Sequence, residues 1–305
     1  MGGNIYFYFM KFEIIISKWA NFYFFLQNLS LWHFSNAKDY NLFWEKKVGP
    51  FTDKEKRALE TFKKIQLKYP FGKNILRKYF FLSKNPWETL KKQLPRQGFL
   101  ILKDIFNLWQ KKFESLYKTE LPLLKKWQTI LKRRANNAQF NLKILHVLNN
   151  LYHTNIGKAR VNVCLLLSTS SHTAGGANIG KNSISLQISQ YPINRANHAL
   201  GIIWHETIHI LFQNKYFFPL LLKNFKKPKD FGLINEATTG GLFPLGILGK
   251  QFLNDKLANT LNDFLSSRTT RKIFQLLQRY INNKKPLDDS YILKLKKIFN
   301  FSKHQ

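Results

Sequence analysis

Apolar residues recur at helical spacing through the first half of this chain, and strand-like spacing follows after about residue 150. One clear helix is predicted to begin at Thr52, because Thr52 and Glu55 form a capping-box pattern ahead of the apolar positions Leu59, Phe62 and Ile65. The aromatic-rich stretch 19–33 also has mixed helical spacing, which indicates core packing. These patterns predict a largely helical N-terminal region.

Further helix boundaries follow from proline and from polar caps. Asn85 and Pro86 predict a helix start, with asparagine as the N-cap and proline in the first turn. Residues 98–150 are predicted to be helical nearly throughout, with breaks at Pro122 and at 134–137. A short Ile-rich strand is predicted over 12–17, ahead of all these helices.

The second half begins with two strand patterns. The run 161–167 is rich in β-branched and apolar residues, and 184–189 alternates apolar with polar residues, so these segments are predicted to be strands that pair. A helix over 194–211 follows, then a loop containing Pro219 and Pro228, and a second apolar helix from about Leu233.

This order predicts an α+β fold that is predominantly helical. The expected division is a helical region over 1–150, with the short strand near 12–17, followed by a second domain over 151–305 with a small sheet and a helical tail.

The predicted helix 194–211 carries the sequence pattern with the clearest chemistry. His205, Glu206 and His209 form an HExxH motif, and residues four apart lie one above the other on a helix. Both imidazoles can therefore reach one Zn²⁺ ion, and Glu206 can accept a proton from a water at that ion. The spacing predicts one zinc per chain, with Glu206 as the general base.

A third ligand is expected from the scarce carboxylates of the second half. Glu236 is the first candidate, because a carboxylate among apolar and small residues is costly unless it is paired or bound to a metal. The alternative reading of Glu236 is an exposed acid near a helix N-terminus, and Asp230 is the second candidate ligand.

The two segments around these residues resemble the gluzincin metallopeptidases, the group that includes thermolysin and aminopeptidase N. The HExxH residues 205–209 are followed by Asn235-Glu236-Ala237-Thr238-Thr239, similar to the NExxSD motif of thermolysin-like members. The likeness spans roughly 160–245. It implies a zincin-like domain that hydrolyses peptide bonds in a peptide or protein substrate, with His205, His209 and Glu236 as zinc ligands and Glu206 as base.

The match is incomplete at one functional position. Gly240 stands where those enzymes have an aspartate that orients a histidine ligand, so that partner must come from elsewhere or be absent. The family also implies a donor to the oxyanion, for which His172, Tyr280 and Tyr291 are candidates. The strand 183–190 is the candidate for a cleft-edge strand to which a substrate peptide adds, or else an ordinary sheet strand.

Composition supports an alternative function. The formal net charge is +32, from 49 Lys and Arg against 17 Asp and Glu, which favours an anionic partner such as nucleic acid or a membrane surface. The lysines are spread along the whole chain, as biased codon usage would also produce. A basic nucleic-acid-binding protein with an incidental HExxH, or a non-catalytic zincin-fold binding module, are therefore the alternative hypotheses.

The remaining features bear on location. Cys164 is the single cysteine, so no intramolecular disulfide forms, and a cytoplasmic location is expected. No transmembrane segment is predicted, because charged residues interrupt the apolar stretches. The start lacks the features of a signal peptide, and either Met1 or Met10 is the initiating residue.

Overall fold

The computed structural model describes residues 9–31, 38–69, 74–169, 173–180, 182–225, 228–253 and 267–301. Helices dominate, and four strands form one small sheet, so the predicted α+β class is confirmed. Within the described ranges, none of the helices combines the length and the apolar character needed to cross a bilayer.

The strands are β1 (Phe9–Ile16), β2 (Lys158–Leu166), β3 (Ala174–Gly180) and β4 (Ser183–Gln187). The helices of the first half are α1 (Lys18–Leu29), α2 (Lys38–Val48), α3 (Asp53–Leu67), α4 (Ile75–Leu82), α5 (Pro86–Gln93), α6 (Arg96–Ala135) and α7 (Ala138–Leu151). Those of the second half are α8 (Ala196–Ile208), α9 (Phe218–Asn224), α10 (Pro228–Gly240), α11 (Ile247–Leu253), α12 (Arg268–Asn282) and α13 (Asp289–Phe301). A nine-residue π-helix, His209–Phe217, joins α8 to α9.

The chain divides into two compact units that interleave along the sequence. One unit contains Met1–Glu13, Leu131–Asn162 and Asn194–Gln305, and the other contains Ile14–Ile130 and Val163–Ile193. The division into domains 1–150 and 151–305 stays a prediction. All the described residues of the candidate site lie in the first of these units.

Local sequence signals account for several helix ends. Thr52 and Glu55 form the predicted capping box at the start of α3, with Glu55 N–H donating to the Thr52 hydroxyl at 3.3 Å and Thr52 N–H donating to the Glu55 carboxylate at 2.8 Å. α5 begins at Pro86 as predicted, although the Asn85 side chain bonds the Glu88 carboxylate rather than a backbone N–H.

Two predicted helix breaks are wrong. Pro122 lies inside the continuous helix α6, which ends only before Asn136 and Asn137. Pro219 lies in the first turn of α9 rather than in a loop. The HExxH helix therefore runs on through the π-helix and α9 to Asn224.

The sheet has the strand order β1-β2-β4-β3. β4 pairs antiparallel with β3, with Ala174 opposite Gln187, and it has β2 on its other side, as the predicted pairing required. Both hydrogen-bonding edges of β4 are thus occupied. The interpretation of 183–190 as an edge strand open to a substrate peptide is wrong, since β3 holds that outer position.

Aromatic side chains fill the core of the unit that contains α1 to α5. Phe22 stacks on Phe113 at a centroid distance of 4.1 Å, and Tyr23 stacks on Phe80 at 5.1 Å. Phe22, Tyr23, Phe24 and Phe25 of α1 are buried, which confirms their core role, whereas Trp19 is half-buried. Cys164 is buried as well.

Candidate metal centre

The HExxH motif lies where α8 passes into the π-helix. His205 and Glu206 are in the last turn of α8, and His209 is the first residue of the π-helix. Trp204, directly before the motif, is fully buried and contacts Phe12 and Phe243, with ring centroids 5.4 and 6.2 Å away. This packing holds one side of the helix against the core and leaves the two histidines on another side.

The two histidines and Glu236 converge on one point. The Nε2 atoms of His205 and His209 are 3.0 Å apart. Glu236, on α10, places one carboxylate oxygen 3.4 Å from His205 Nε2 and the other 3.4 Å from His209 Nε2. The three predicted ligands are therefore brought together, in a cluster of metal-binding type.

These distances and donor types fit a zinc ion. Tetrahedral coordination at Zn–N and Zn–O distances of about 2.0–2.1 Å requires ligand atoms about 3.3–3.4 Å apart. The Nε2 atoms of His205 and His209 are 3.0 Å apart, and each lies 3.4 Å from a different oxygen of the Glu236 carboxylate. One ligand atom from each residue thus lies within 4.8 Å of the others, which is close enough for a single ion. Two imidazoles and one carboxylate form a three-ligand set that leaves a fourth position for water or substrate, as catalytic zinc sites do.

Solvent reaches the cluster from the side of α10. The side chains of His205 and His209 are only 15% and 8% accessible, whereas that of Glu236 is 63% accessible. The prediction that the Glu236 carboxylate is buried among apolar residues is therefore wrong. The alternative position near a helix N-terminus is wrong as well, because Glu236 lies in the later half of α10. The carboxylate thus lies on the solvent side of two nearly buried imidazoles.

A backbone carbonyl orients His205. His205 Nδ1 lies 2.9 Å from the carbonyl oxygen of Phe243, so Nδ1–H donates there and Nε2 keeps its lone pair for a metal. Phe243 lies in the turn between α10 and α11. The partner that orients His205 is therefore a main-chain carbonyl rather than a carboxylate side chain.

An amide faces the outer nitrogen of His209. The amide nitrogen Nδ2 of Asn235 lies 3.2 Å from His209 Nδ1, and rotation of the amide by 180° would place Oδ1 there instead. With the amide oxygen toward the ring, Nδ1–H would donate to it, and His209 Nε2 would then be free for the metal. Asn235 directly precedes Glu236, so one turn of α10 supplies both a ligand and the partner of another ligand.

Charge interactions stabilise the cluster without a metal. Burial would lower the pKa of His205, but the hydrogen bond that its ring donates to Glu236 and the negative charges of Glu206 and Glu236 outweigh that effect, and the pKa lies above its usual 6.5. Desolvation would raise the pKa of Glu236, yet the hydrogen bonds from His205 and His209 hold it well below its usual 4.5. Protons and a metal therefore compete for the same nitrogen atoms.

Glu206 is nearly buried beside the ligand cluster. It is 9% exposed, and its negative charge acts on His205. The convergent ligand group consists of the two histidines and Glu236. Because Glu206 directly follows His205 on the helix, its carboxylate lies beside this group rather than within it.

The tyrosine candidates for the oxyanion donor are buried behind α10. Tyr291 is fully buried, and its hydroxyl interacts with Thr238, which lies about 200° around the helix from Glu236. Tyr280 packs on Tyr291 and shares a hydrogen bond of 2.9 Å with the Ser290 hydroxyl. The structure brings neither tyrosine to the ligand cluster.

Two other candidates fall outside what the structure describes. His172 lies outside the described residues. Asp230, the second candidate for the third ligand, lies within α10, but its side chain is outside the described part of the chain.

Sequence reasoning missed two contributors. The Phe243 carbonyl carries no side-chain signature, so no motif could have indicated it. The role of Asn235 was readable in part, because it immediately precedes the ligand glutamate.

Comparisons with known proteins add no relative. No family model matches this chain, and neither the curated proteins nor the solved structures contain a match. The function must therefore be argued from the geometry of the site.

Proposed function

We propose that this protein is a zinc-dependent peptidase with a zincin-like active-site helix, which hydrolyses peptide bonds in a peptide or protein substrate. The observation that supports it most is the convergence of His205, His209 and Glu236, each of which offers a ligand atom within 4.8 Å of the others. The placement of Glu206 beside this group adds the proton acceptor that hydrolysis requires.

Each side chain has a distinct task in this proposal. The Phe243 carbonyl and the Asn235 amide hold the two imidazoles with Nε2 toward the ion. A bound zinc supplies a Lewis acid that polarises the substrate carbonyl and makes a water easier to deprotonate. Glu206 accepts the proton of the attacking water and passes it to the leaving amine.

The open side of the cluster supports action on a substrate rather than a structural role. Structural zinc sites have four protein ligands, whereas this group has three among the described residues. The exposed Glu236 side chain marks the direction from which a peptide would approach. We also propose a cytoplasmic location, because the single cysteine, Cys164, cannot form an intramolecular disulfide.

Zinc content measured by elemental mass spectrometry tests the proposal. The wild type, His209→Ala and His146→Ala would be expressed with zinc supplied; His146 is an exposed histidine on α7 and serves as the matched control. We expect about one zinc per chain in the wild type and in His146→Ala, and loss of zinc in His209→Ala.

Peptide cleavage by the zinc-loaded wild type, measured with a library of quenched fluorescent peptides, completes the test. Zinc binding without any cleavage would favour a non-catalytic zincin-fold module. Absence of zinc from the wild type would overturn the proposal and leave the +32 charge as the reason to test polyanion binding.

A further inference from the structure

Gln213 lies on the same side of the HExxH helix as the two histidine ligands. His205, His209 and Gln213 are each four residues apart, and a four-residue step keeps side chains close to one face of both an α-helix and a π-helix. This face meets α10, which carries Asn235 and Glu236. Gln213 is therefore the next side chain in the row that faces the ligand-bearing helix.

The Gln213 side chain is fully buried and contacts α10 directly. Its Nε2 donates to the main-chain carbonyl of Asn235 at 3.2 Å and lies 3.5 Å from the Tyr152 hydroxyl. A buried glutamine is costly unless its polar atoms are satisfied, so a purely apolar residue would suit this position better if packing were its only task.

Gln213 Oε1 and Asn235 Oδ1, on the two facing helices, are buried acceptor atoms with no hydrogen-bond partner within the described part of the chain. If the Asn235 amide turns by 180°, Oδ1 accepts from His209 Nδ1–H. Gln213 Nε2 continues to donate to the Asn235 main-chain carbonyl. The rotated amide thus gives Asn235 Oδ1 a partner while Gln213 holds the main chain of the same residue.

We propose that Gln213 is a positioning residue for the metal centre, holding Asn235 so that its amide fixes His209 with Nε2 toward the metal. This inference rests on the proposed zinc site and adds a residue outside both sequence motifs. Gln213 contacts no ligand itself. It acts through the main chain of Asn235, and through it on the Asn235 side chain and on the placement of Glu236.

Zinc affinity separates this role from a general contribution to folding. Gln213→Met keeps the side-chain volume and removes its hydrogen bonds. Gln66→Met is the matched control, because Gln66 is also fully buried and hydrogen-bonded, to Tyr23 and Asn74, in the other compact unit. Affinity would be measured for the full chain by competition with a chromophoric zinc chelator, together with thermal unfolding of the metal-free proteins.

We expect both variants to unfold at lower temperature, and only Gln213→Met to lose zinc affinity, by about 10–100-fold. Gln213→Asn, which restores an amide one methylene shorter, should recover part of that loss. Wild-type zinc affinity in Gln213→Met would overturn the positioning role and leave the zinc site standing. A wild type that binds no zinc would overturn both.

Discussion

Gly201 packs directly against Pro244, so closely that a Cβ at Gly201 would lie 2.6 Å from the Pro244 Cβ and 2.9 Å from its Cα. Gly201 is one turn before His205 on α8, and Pro244 follows the Phe243 carbonyl that orients His205. The missing side chain at Gly201 therefore allows the turn to reach the metal centre.

Gly201→Ala tests this contact. The added methyl must push the Pro244 main chain away, because separations below 3.0 Å are not tolerated, and the Phe243 carbonyl would move with it. We expect zinc affinity to fall about 10-fold or more, measured by chelator competition. Gly232→Ala on α10 is the matched control, since nothing lies within 4 Å of its Cβ position.

The control has its own expected outcome. Gly232→Ala should keep zinc affinity and raise the stability of the protein by about 0.4–1 kcal/mol, because alanine has less backbone freedom to lose in a helix. Equal zinc affinities in Gly201→Ala and Gly232→Ala would show that the turn has no influence on His205.

Glu206→Gln should separate metal binding from catalysis. The amide keeps the shape of the side chain but cannot accept the proton of water, so zinc content should stay at the wild-type level and kcat/KM should fall about 10²–10⁴-fold. The measurement is peptide hydrolysis at matched zinc occupancy. Glu60→Gln, at an exposed position of α3, should leave both quantities unchanged, and full activity in Glu206→Gln would contradict the assigned base.

Asn235→Ala should weaken zinc binding through His209. Removing the amide leaves Nδ1 of His209 without its partner, while the Asn235 main-chain carbonyl that Gln213 contacts remains. We expect a loss of about 10–100-fold in zinc affinity by chelator competition. Asn235→Asp should retain most of the zinc affinity, because a carboxylate can accept a hydrogen bond from Nδ1–H of His209. Wild-type zinc affinity in Asn235→Ala would show that this contact does not orient His209.

The metal-free protein should show a pH window of added stability from the cluster. Because the pKa of Glu236 is lowered in the folded protein, its ionised carboxylate stabilises the fold at pH values above the usual pKa of 4.5. This contribution is lost as the pH falls through the pKa of the folded state. Because the pKa of His205 is raised in the folded protein, its protonated ring stabilises the fold at pH values below the usual pKa of 6.5. This contribution is lost as the pH rises through the pKa of the folded state.

Denaturant unfolding with a chelator present can measure that window. The stability difference between wild type and Glu236→Gln should be largest between about pH 4.5 and 6.5, where both contributions are present. It should be small in absolute terms, because the Glu236 side chain is 63% accessible and solvent screens it. A difference independent of pH would contradict the ion pairing.

Cys164 should be inert in the folded protein. Its side chain is buried, and burial raises the pKa of the thiol to about 12, so almost no thiolate exists at pH 8. A colorimetric thiol reagent should react with one thiol per chain in denaturant and with none within minutes in native buffer. Rapid native modification would place this cysteine in an accessible position.

The sequence by itself determined those features that depend on neighbours along the chain. The HExxH spacing placed His205 and His209 one turn apart because helical geometry is local, and the same reasoning located the capping box at Thr52. The alternation over 184–189 located a strand, and the resemblance of Asn235-Glu236 to a family motif pointed to Glu236, which the structure brings to the two histidines.

Only the tertiary structure decided which distant groups complete the site. The Phe243 carbonyl reaches His205 because Gly201 permits close packing, and a main-chain oxygen has no signature in a sequence. Gln213 and Asn235 meet through contacts between two helices, and the central position of β4 depends on its neighbours in the sheet. Such pairings are set by packing between residues far apart in the chain, whereas periodicity and motifs report mainly on residues within a few turns of one another.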